Sequence, residues 1–164
     1  MACRGVHFAL SDDELASLLN SPTDGERKRI VQEEIEERWD EAHSLEMDKA
    51  WDAIHRCLTD GTLRPGDPYY PLNLCILGGK QLYAADDYII SLVMPSEVGR
   101  VAHALARTTK SDLREHYFNI RPEAYGLPIT EEDFEYTWAY FEDLEPFFAM
   151  ASAEGRAVIF TVDQ

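Results

Sequence analysis

AVIFTV, residues 157–162, is the stretch on which the fold class turns. Five of its six residues are β-branched or aromatic, and Gly155 separates it from a long run of helical spacing. Such a run reads as a strand. YIISLVM (88–94) reads as a second, buried strand, because a strand covered on both faces is apolar without alternation. CRGVHFAL (3–10) supplies a third. The expectation is an α+β fold: a small mixed sheet of about three or more strands packed by several amphipathic helices, in one domain over residues 1–164.

Around these strands the helices announce themselves by caps and stripes. Ser11 and Glu14 form a capping box that opens a helix through LASLLN. Thr23 and Glu26 form another, followed by a helix to about Ala42 with a narrow stripe of Val31, Ile35, Trp39 and Ala42. MDKAWDAIHRCLTDG (47–61) places Met47, Ala50, Trp51, Ile54 and Leu58 on one face, and Gly61 suits a left-handed stop. Residues 62–71, with Pro65, Gly66, Pro68 and Pro71, read as an ordered or extended loop carrying Tyr69 and Tyr70. LNLCIL (72–77) has no decisive period, and Gly78–Gly79 ends it in a tight turn. Pro95 starts a helix with Val98, Val101, Ala102 and Leu105 inward, and residues 108–117 add one or two turns. Residues 122–128 are irregular. Thr130 caps a helix to about Ser152 that buries Phe134, Trp138, Phe141, Leu144 and Phe148 and kinks at Pro146.

Composition narrows the function. The 164 residues are 45% hydrophobic, enough for a core. His7 and Ser11–Asp12–Asp13 interrupt the first apolar run, so no signal peptide is read, and nothing approaches the ~20 apolar residues of a membrane helix. The expected compartment is the cytoplasm. Cys3, Cys57 and Cys75 make an odd count without a CxxC pair, which speaks against a disulfide framework or a zinc knuckle. Lys+Arg number 15 against 31 Asp+Glu, for a net charge of −16. Residues 11–60 hold −9 of it and residues 131–145 the other −7. Phosphate backbones and anionic membranes are repelled, so nucleic-acid and membrane partners are disfavoured, while a basic protein partner is steered in. Solvated helix faces account for the same charge without any partner. Nothing here sets an oligomeric state.

Candidate chemistry gathers in residues 47–61. On one helix Asp48, Asp52, His55 and Thr59 fall within about 60° of one another. With Trp51 and the nearby Tyr69 and Tyr70 they form a candidate pocket, Asp52 orienting His55 and His55 acting as base or ligand. The competing reading is a semi-buried His55 bonded to Asp52 or to a backbone carbonyl. Asp52-x-x-His55 matches the i, i+3 spacing seen, with Glu, in carboxylate metal bundles, but those need several helices, so no metal is assigned. ILGGK (76–80) fails as a phosphate loop, with Leu74 where glycine is required and Gln81 where Ser or Thr is required. No nucleophile-elbow, zincin, calcium-loop or dinucleotide motif occurs, and no cofactor is expected.

Several segments together resemble the YfbM-like family, a bacterial domain of unknown function. They are MACRGVHFALSDDELASLL, MDKAWDAIHRCLTDG, ILGGK, MPSEVGRVAHALA with SDLREHYF, and FEYTWAYFEDLEPFFAMASAEGRAVIFTV, nearly the whole chain. DKAWDAIHRCLT and ILGG are the most specific. The resemblance implies a compact α+β fold in a bacterial cytoplasm and brings no activity with it. Two segments depart from the family pattern: YIISLVMP (88–95), where members tend to carry a Gly-Pro-Ala-Arg-like turn, and AYGLPIT (124–130), where they tend to show Tyr-Pro-x-x-Trp. A family site lined by either is altered here.

These readings rank a non-enzymatic interaction module first, immunity- or adaptor-like. Its acidic faces, Glu33, Glu37, Asp40 and Glu41 on one segment and Glu131, Glu135 and Glu142 on the other, would engage a basic protein. A small enzyme or ligand-binding domain around Asp48, Asp52 and His55 ranks second. A DNA mimic ranks third, since the acids lie along ordinary amphipathic helices.

Overall fold

The structure, a computed structural model, describes residues 3–66 and 68–163. Met1, Ala2 and Gln164 lie outside them, as does Asp67 within the expected loop of residues 62–71. Five strands, β1 (Gly5–Leu10), β2 (Ser44–Asp48), β3 (Lys80–Ala84), β4 (Tyr88–Val93) and β5 (Ala157–Asp163), form one sheet in the order β2-β1-β5-β4-β3. The fold is α+β, but every pairing is antiparallel, so the sheet is not mixed.

AVIFTV lies at the centre, between β1 and β4. Its side chains alternate between faces, as the two-residue period of a strand requires. Val158, Phe160 and Val162 enter one apolar core, and Ala157 and Ile159 enter another. β1 divides likewise, Ala9 to the first core and Phe8 and Leu10 to the second. Two-faced burial is why these strands read as apolar runs.

The second core is closed by α1 (Asp12–Asn20), α2 (Asp24–Ile30) and the wider π-helical turns of Val31–Glu36. Ser11 caps α1 with a complete capping box. Thr23 accepts from the Glu26 N–H, without the reciprocal bond. The helix does not run to Ala42. Trp39 turns left-handed (φ 43°) and packs edge-on against Phe8, with ring centroids 5.7 Å apart. A short 3-10 turn, Glu41–His43, then leads into β2.

The first core lies under α3 (Ala50–Cys57), α4 (Pro95–Ala106), α5 (Lys110–Phe118), α7 (Glu131–Phe141) and α8 (Leu144–Ala153), with the single turn α6 (Pro122–Tyr125) beside them. α4 buries the four residues expected of it. Residues 131–152 are two helices instead of one kinked helix. The break falls at Glu142–Asp143, and Pro146 sits in the first turn of α8, where its missing N–H removes no helical bond. LNLCIL begins as a 3-10 turn, Leu72–Cys75. Gly78–Gly79 follows because of crowding and not because of a positive φ. A Cβ on Gly78 would lie 2.2 Å from the Asn73 carbonyl oxygen, and one on Gly79 would lie 2.5 Å from that of Leu92.

Candidate functional site

The row Asp48, Asp52, His55 and Thr59 does not share one helix. Met47 and Asp48 belong to β2, and α3 begins only at Ala50. Met47 is the one buried residue of that strand. Asp48 ends it in the left-handed region (φ 42°), which a short polar side chain tolerates. Its carboxylate accepts from the Tyr136 hydroxyl at 2.9 Å and lies 3.5 Å from Arg4.

Asp52 is oriented toward Arg56, one turn along, and not toward His55. The Arg56 Nε donates to Asp52 Oδ1 at 2.6 Å, and its two terminal nitrogens donate to the carbonyls of Gly61 (3.1 Å) and Ala124 (2.9 Å). The guanidinium therefore ties α3, the turn after it and α6 together. Burial pushes the Asp52 carboxyl above the usual carboxylate range; Arg56 opposes the shift, and the charge of Asp133 adds to it.

His55 has no exposed surface. Its Nε2 donates to the Arg64 carbonyl at 3.0 Å, and Nδ1 accepts from the Leu77 N–H at 3.5 Å. Burial lowers its pKa, so the ring is neutral in the folded state. The Thr59 hydroxyl donates to the His55 carbonyl at 2.7 Å. His55 holds the loop after α3 against the segment before Gly78, and Thr59 fastens the start of that loop, its hydroxyl also 3.3 Å from the Thr62 carbonyl.

Four of the predicted pocket residues divide between two clefts, and Asp48, His55 and Thr59 line neither. The first, about 820 Å³, lies between α3 and α7 and takes Trp51 and Asp52. Tyr125, Asp133 and Tyr136 face them, with Leu63 on the wall and Glu132 at the exposed rim. The Tyr117 and Tyr125 hydroxyls both donate to Asp133 Oδ2, at 2.6 and 2.9 Å. Burial, together with the Asp133 carboxylate, pushes the Tyr125 phenol up, and burial together with Asp48 pushes that of Tyr136 up. This cleft combines carboxylate acceptors with aromatic walls, a surface suited to a cation. The second cleft, about 730 Å³, takes Tyr69 and Tyr70 together with Cys57 and Leu58. His55 lines neither.

Tyr125, Asp133 and Tyr136 escaped the sequence reading. Asp133 was legible as the third residue after the Thr130 cap, and it does receive that cap's N–H bond. Its second role, gathering two tyrosine hydroxyls from α5 and α6, has no local signal. No group of three or more His, Cys, Asp or Glu placed to hold a metal occurs among the described residues.

The acidic faces are partly neutralised from within. Glu131 pairs with Arg114 at 2.5 Å, Glu135 with Lys110 at 2.6 Å and Glu33 with Arg29 at 3.3 Å, while Asp40 shares a 2.7 Å hydrogen bond with His43. Glu37, Glu41 and Glu142 are exposed and have no ion pair among the described residues. The first face is also not one helix, because residues 33–41 pass from π-helix through the Trp39 reversal into a 3-10 turn.

The family model described as a domain of unknown function, DUF1877, matches residues 1–161. The chain belongs to this family. The crystal structure of YfbM from Escherichia coli, a protein of unknown function, shares the fold of this DUF1877 chain with a TM-score of 0.68. The two are 22% identical, over 97% of this chain and 99% of that one. No curated protein matches the chain. AYGLPIT, which departs from the family pattern, contributes Tyr125, Leu127, Pro128 and Thr130 to the cleft between α3 and α7. Among the described residues no helix is long and apolar enough to cross a membrane.

Proposed function

We propose that this DUF1877 protein is a cytoplasmic, non-enzymatic binding module, immunity- or adaptor-like, that engages a basic segment of a partner protein. A lysine or arginine side chain of that segment enters the cleft between α3 and α7. The observation that carries the reading is the lining of that cleft: Asp133 and Glu132, which have no ion pair among the described residues, beside Trp51, Tyr125 and Tyr136, while Asp52 is already answered by Arg56 and Lys49 stands exposed at the rim. Carboxylates attract the cation, and ring faces add cation–π attraction as it sheds water. Asp133 is held by two tyrosine hydroxyls, so its charge is already in position before a partner arrives. Steering comes from the net −7 of residues 131–145 and fades beyond a Debye length of about 8 Å at physiological salt. The three free thiols accord with a reducing compartment.

This reading puts the contact in the cleft, at Glu132 and Asp133, in preference to the outer Glu131 and Glu135, whose charges are answered by Arg114 and Lys110. A small enzyme built on His55 gains no support, since that ring is sealed from both clefts.

The test is a tagged pull-down from the source cells at low and high salt, comparing the native bait with Glu132→Lys. Glu132 is exposed at the rim, so its reversal spares the fold. The expected result is one stoichiometric basic protein, released by salt and absent from the variant bait. An identical set of captured proteins on both baits would overturn the reading.

A further inference from the structure

The second cleft has the opposite electrostatic character. α4 turns Val98, Val101, Ala102 and Leu105 into the core, and its neighbouring face carries Arg100, His103, Ala104 and Arg107 at i, i+3, i+4 and i+7. At 1.5 Å per residue the three basic side chains form a row about 10 Å long. His116 of α5 faces the same space, its Nδ1 donating to the Cys57 carbonyl at 2.7 Å. The floor is apolar, made by Leu58, Pro71, Leu72 and Ala104.

Salt bridges among the described residues hold Arg4, Arg27, Lys28, Arg29, Arg38, Arg56, Lys110, Arg114 and Arg156. Of the other Lys and Arg residues, Arg100 and Arg107 are the pair that share one cleft. Among the described residues neither Arg100 nor Arg107 has a carboxylate within ion-pair distance. Arg100 is positioned instead by the Tyr70 hydroxyl at 2.9 Å, which itself donates to Glu97 at 2.5 Å. Among the described residues the one carboxylate lining the cleft, Asp112, already accepts from the Thr109 N–H and hydroxyl as part of the α5 cap.

We infer that this cleft binds a small organic anion. The acidic head, a carboxylate, sulfonate or phosphate, is held by Arg100 and Arg107 with His103 between them, and an apolar body rests on Leu58, Pro71 and Leu72. A volume of about 730 Å³ suits such a ligand, since small-molecule sites span roughly 300–1,000 Å³. Guanidinium groups match planar oxyanions geometrically. The basic row is about 10 Å long and the cleft about 730 Å³, so the ligand it fits is small. This site is separate from the cationic cleft of the proposed function and stands or falls without it.

The probe is 1-anilinonaphthalene-8-sulfonate, an anion with an apolar body, titrated by fluorescence against the native chain. N-phenyl-1-naphthylamine, which lacks the sulfonate, is the neutral control. The expected result is saturable one-to-one binding of the sulfonate. Its Kd should rise tenfold or more in Arg100→Gln/Arg107→Gln, while that of the neutral amine moves less than twofold. Ala104→Phe, which fills the floor, should abolish both, and Glu132→Lys in the other cleft should change neither. The inference is overturned if the native protein gives no saturable sulfonate binding. It is equally overturned if the double variant binds the sulfonate as the native protein does, or loses both probes alike.

Discussion

Replacing Arg56 by methionine should cost the fold about 3 kcal/mol. Arg56 is 6% exposed and meets Asp52, the Gly61 carbonyl and the Ala124 carbonyl at once. Removing one partner of a buried ion pair costs roughly 3–5 kcal/mol, because the other charge stays buried without an answer. The lower end applies here, since the Asp52 side chain keeps 24% of its surface. The Gly61 and Ala124 carbonyls lie near solvent and recover water, so they add little. For a chain of this size about 3 kcal/mol lowers Tm by roughly 6–12 °C. The deficit has a pH signature. The folded Asp52 carboxyl already lies above its usual range through burial, and losing Arg56 raises it further. A carboxyl raised in the folded state favours folding below its unfolded pKa and loses that contribution as pH rises through the folded value. The gap between variant and native protein is therefore full at neutral pH and narrows in acid. The assay is urea unfolding followed by circular dichroism at pH 7 and pH 5, with the m-value checked for constancy. Asp52→Leu/Arg56→Met should recover most of the loss, because it removes both charges. A single-variant cost below about 1 kcal/mol, or a double variant no better than the single, would refute the reasoning.

Three further outcomes follow from buried groups and close contacts. His7 is fully buried among Phe147, Phe148 and Phe160, and burial lowers its pKa to about 4. Protonation then favours the unfolded chain as pH falls from about 6.5 toward 4, so His7 should withdraw about 2 kcal/mol of stability by pH 5. Denaturant melts of native protein and His7→Asn should differ in their pH slope across that window, and parallel slopes would refute this. Gly78→Ala and Gly79→Ala should each cost about 3 kcal/mol or more, because the added Cβ meets a backbone carbonyl that cannot step aside, while Gly66→Ala, which meets nothing within 4 Å, should be nearly neutral. Thermal melts of the three variants separate the cases. Burial pushes the Cys57 thiol up to about 12 and the Cys75 thiol higher still. A disulfide exchange reagent should therefore react with Cys3 alone in the native protein and with all three thiols in denaturant. Rapid modification of Cys57 in the native state would contradict its place beneath the second cleft.

The parts of this fold legible in the sequence are those whose burial is uniform along a segment. β4 and β5 bury both faces and so read as apolar runs, and α4 shows its four inward residues at regular spacing. β2 and β3 escaped for the opposite reason. Each is an edge strand with one buried residue, Met47 or Leu82, and one residue makes no period. Trp39 kept the helical spacing of Val31 and Ile35 while turning left-handed, because its stacking on Phe8, far off in sequence, outweighs local helix preference. The candidate site was half legible. Trp51 and Asp52 do line a cleft, yet their partners Tyr125, Asp133 and Tyr136 arrive from elements more than sixty residues away. The basic row of α4 was visible as Arg100, His103 and Arg107 at helical spacing, but a net charge of −16 drew attention to the acids.

The place of β5 in the sheet also sets a timetable for synthesis. β1 and β4 touch the same strand and not each other, and that strand is made after both. On the ribosome, at roughly 5–20 residues per second, several seconds separate the synthesis of β4 from that of β5. Until residues 157–163 emerge, β1 and β4 lack the strand that pairs with both, and two-stranded pairs alone are marginal in water. A nascent chain stopped short of Ala157 offers two open edges and no sheet to join them, and such a chain is a natural substrate for chaperones and proteases.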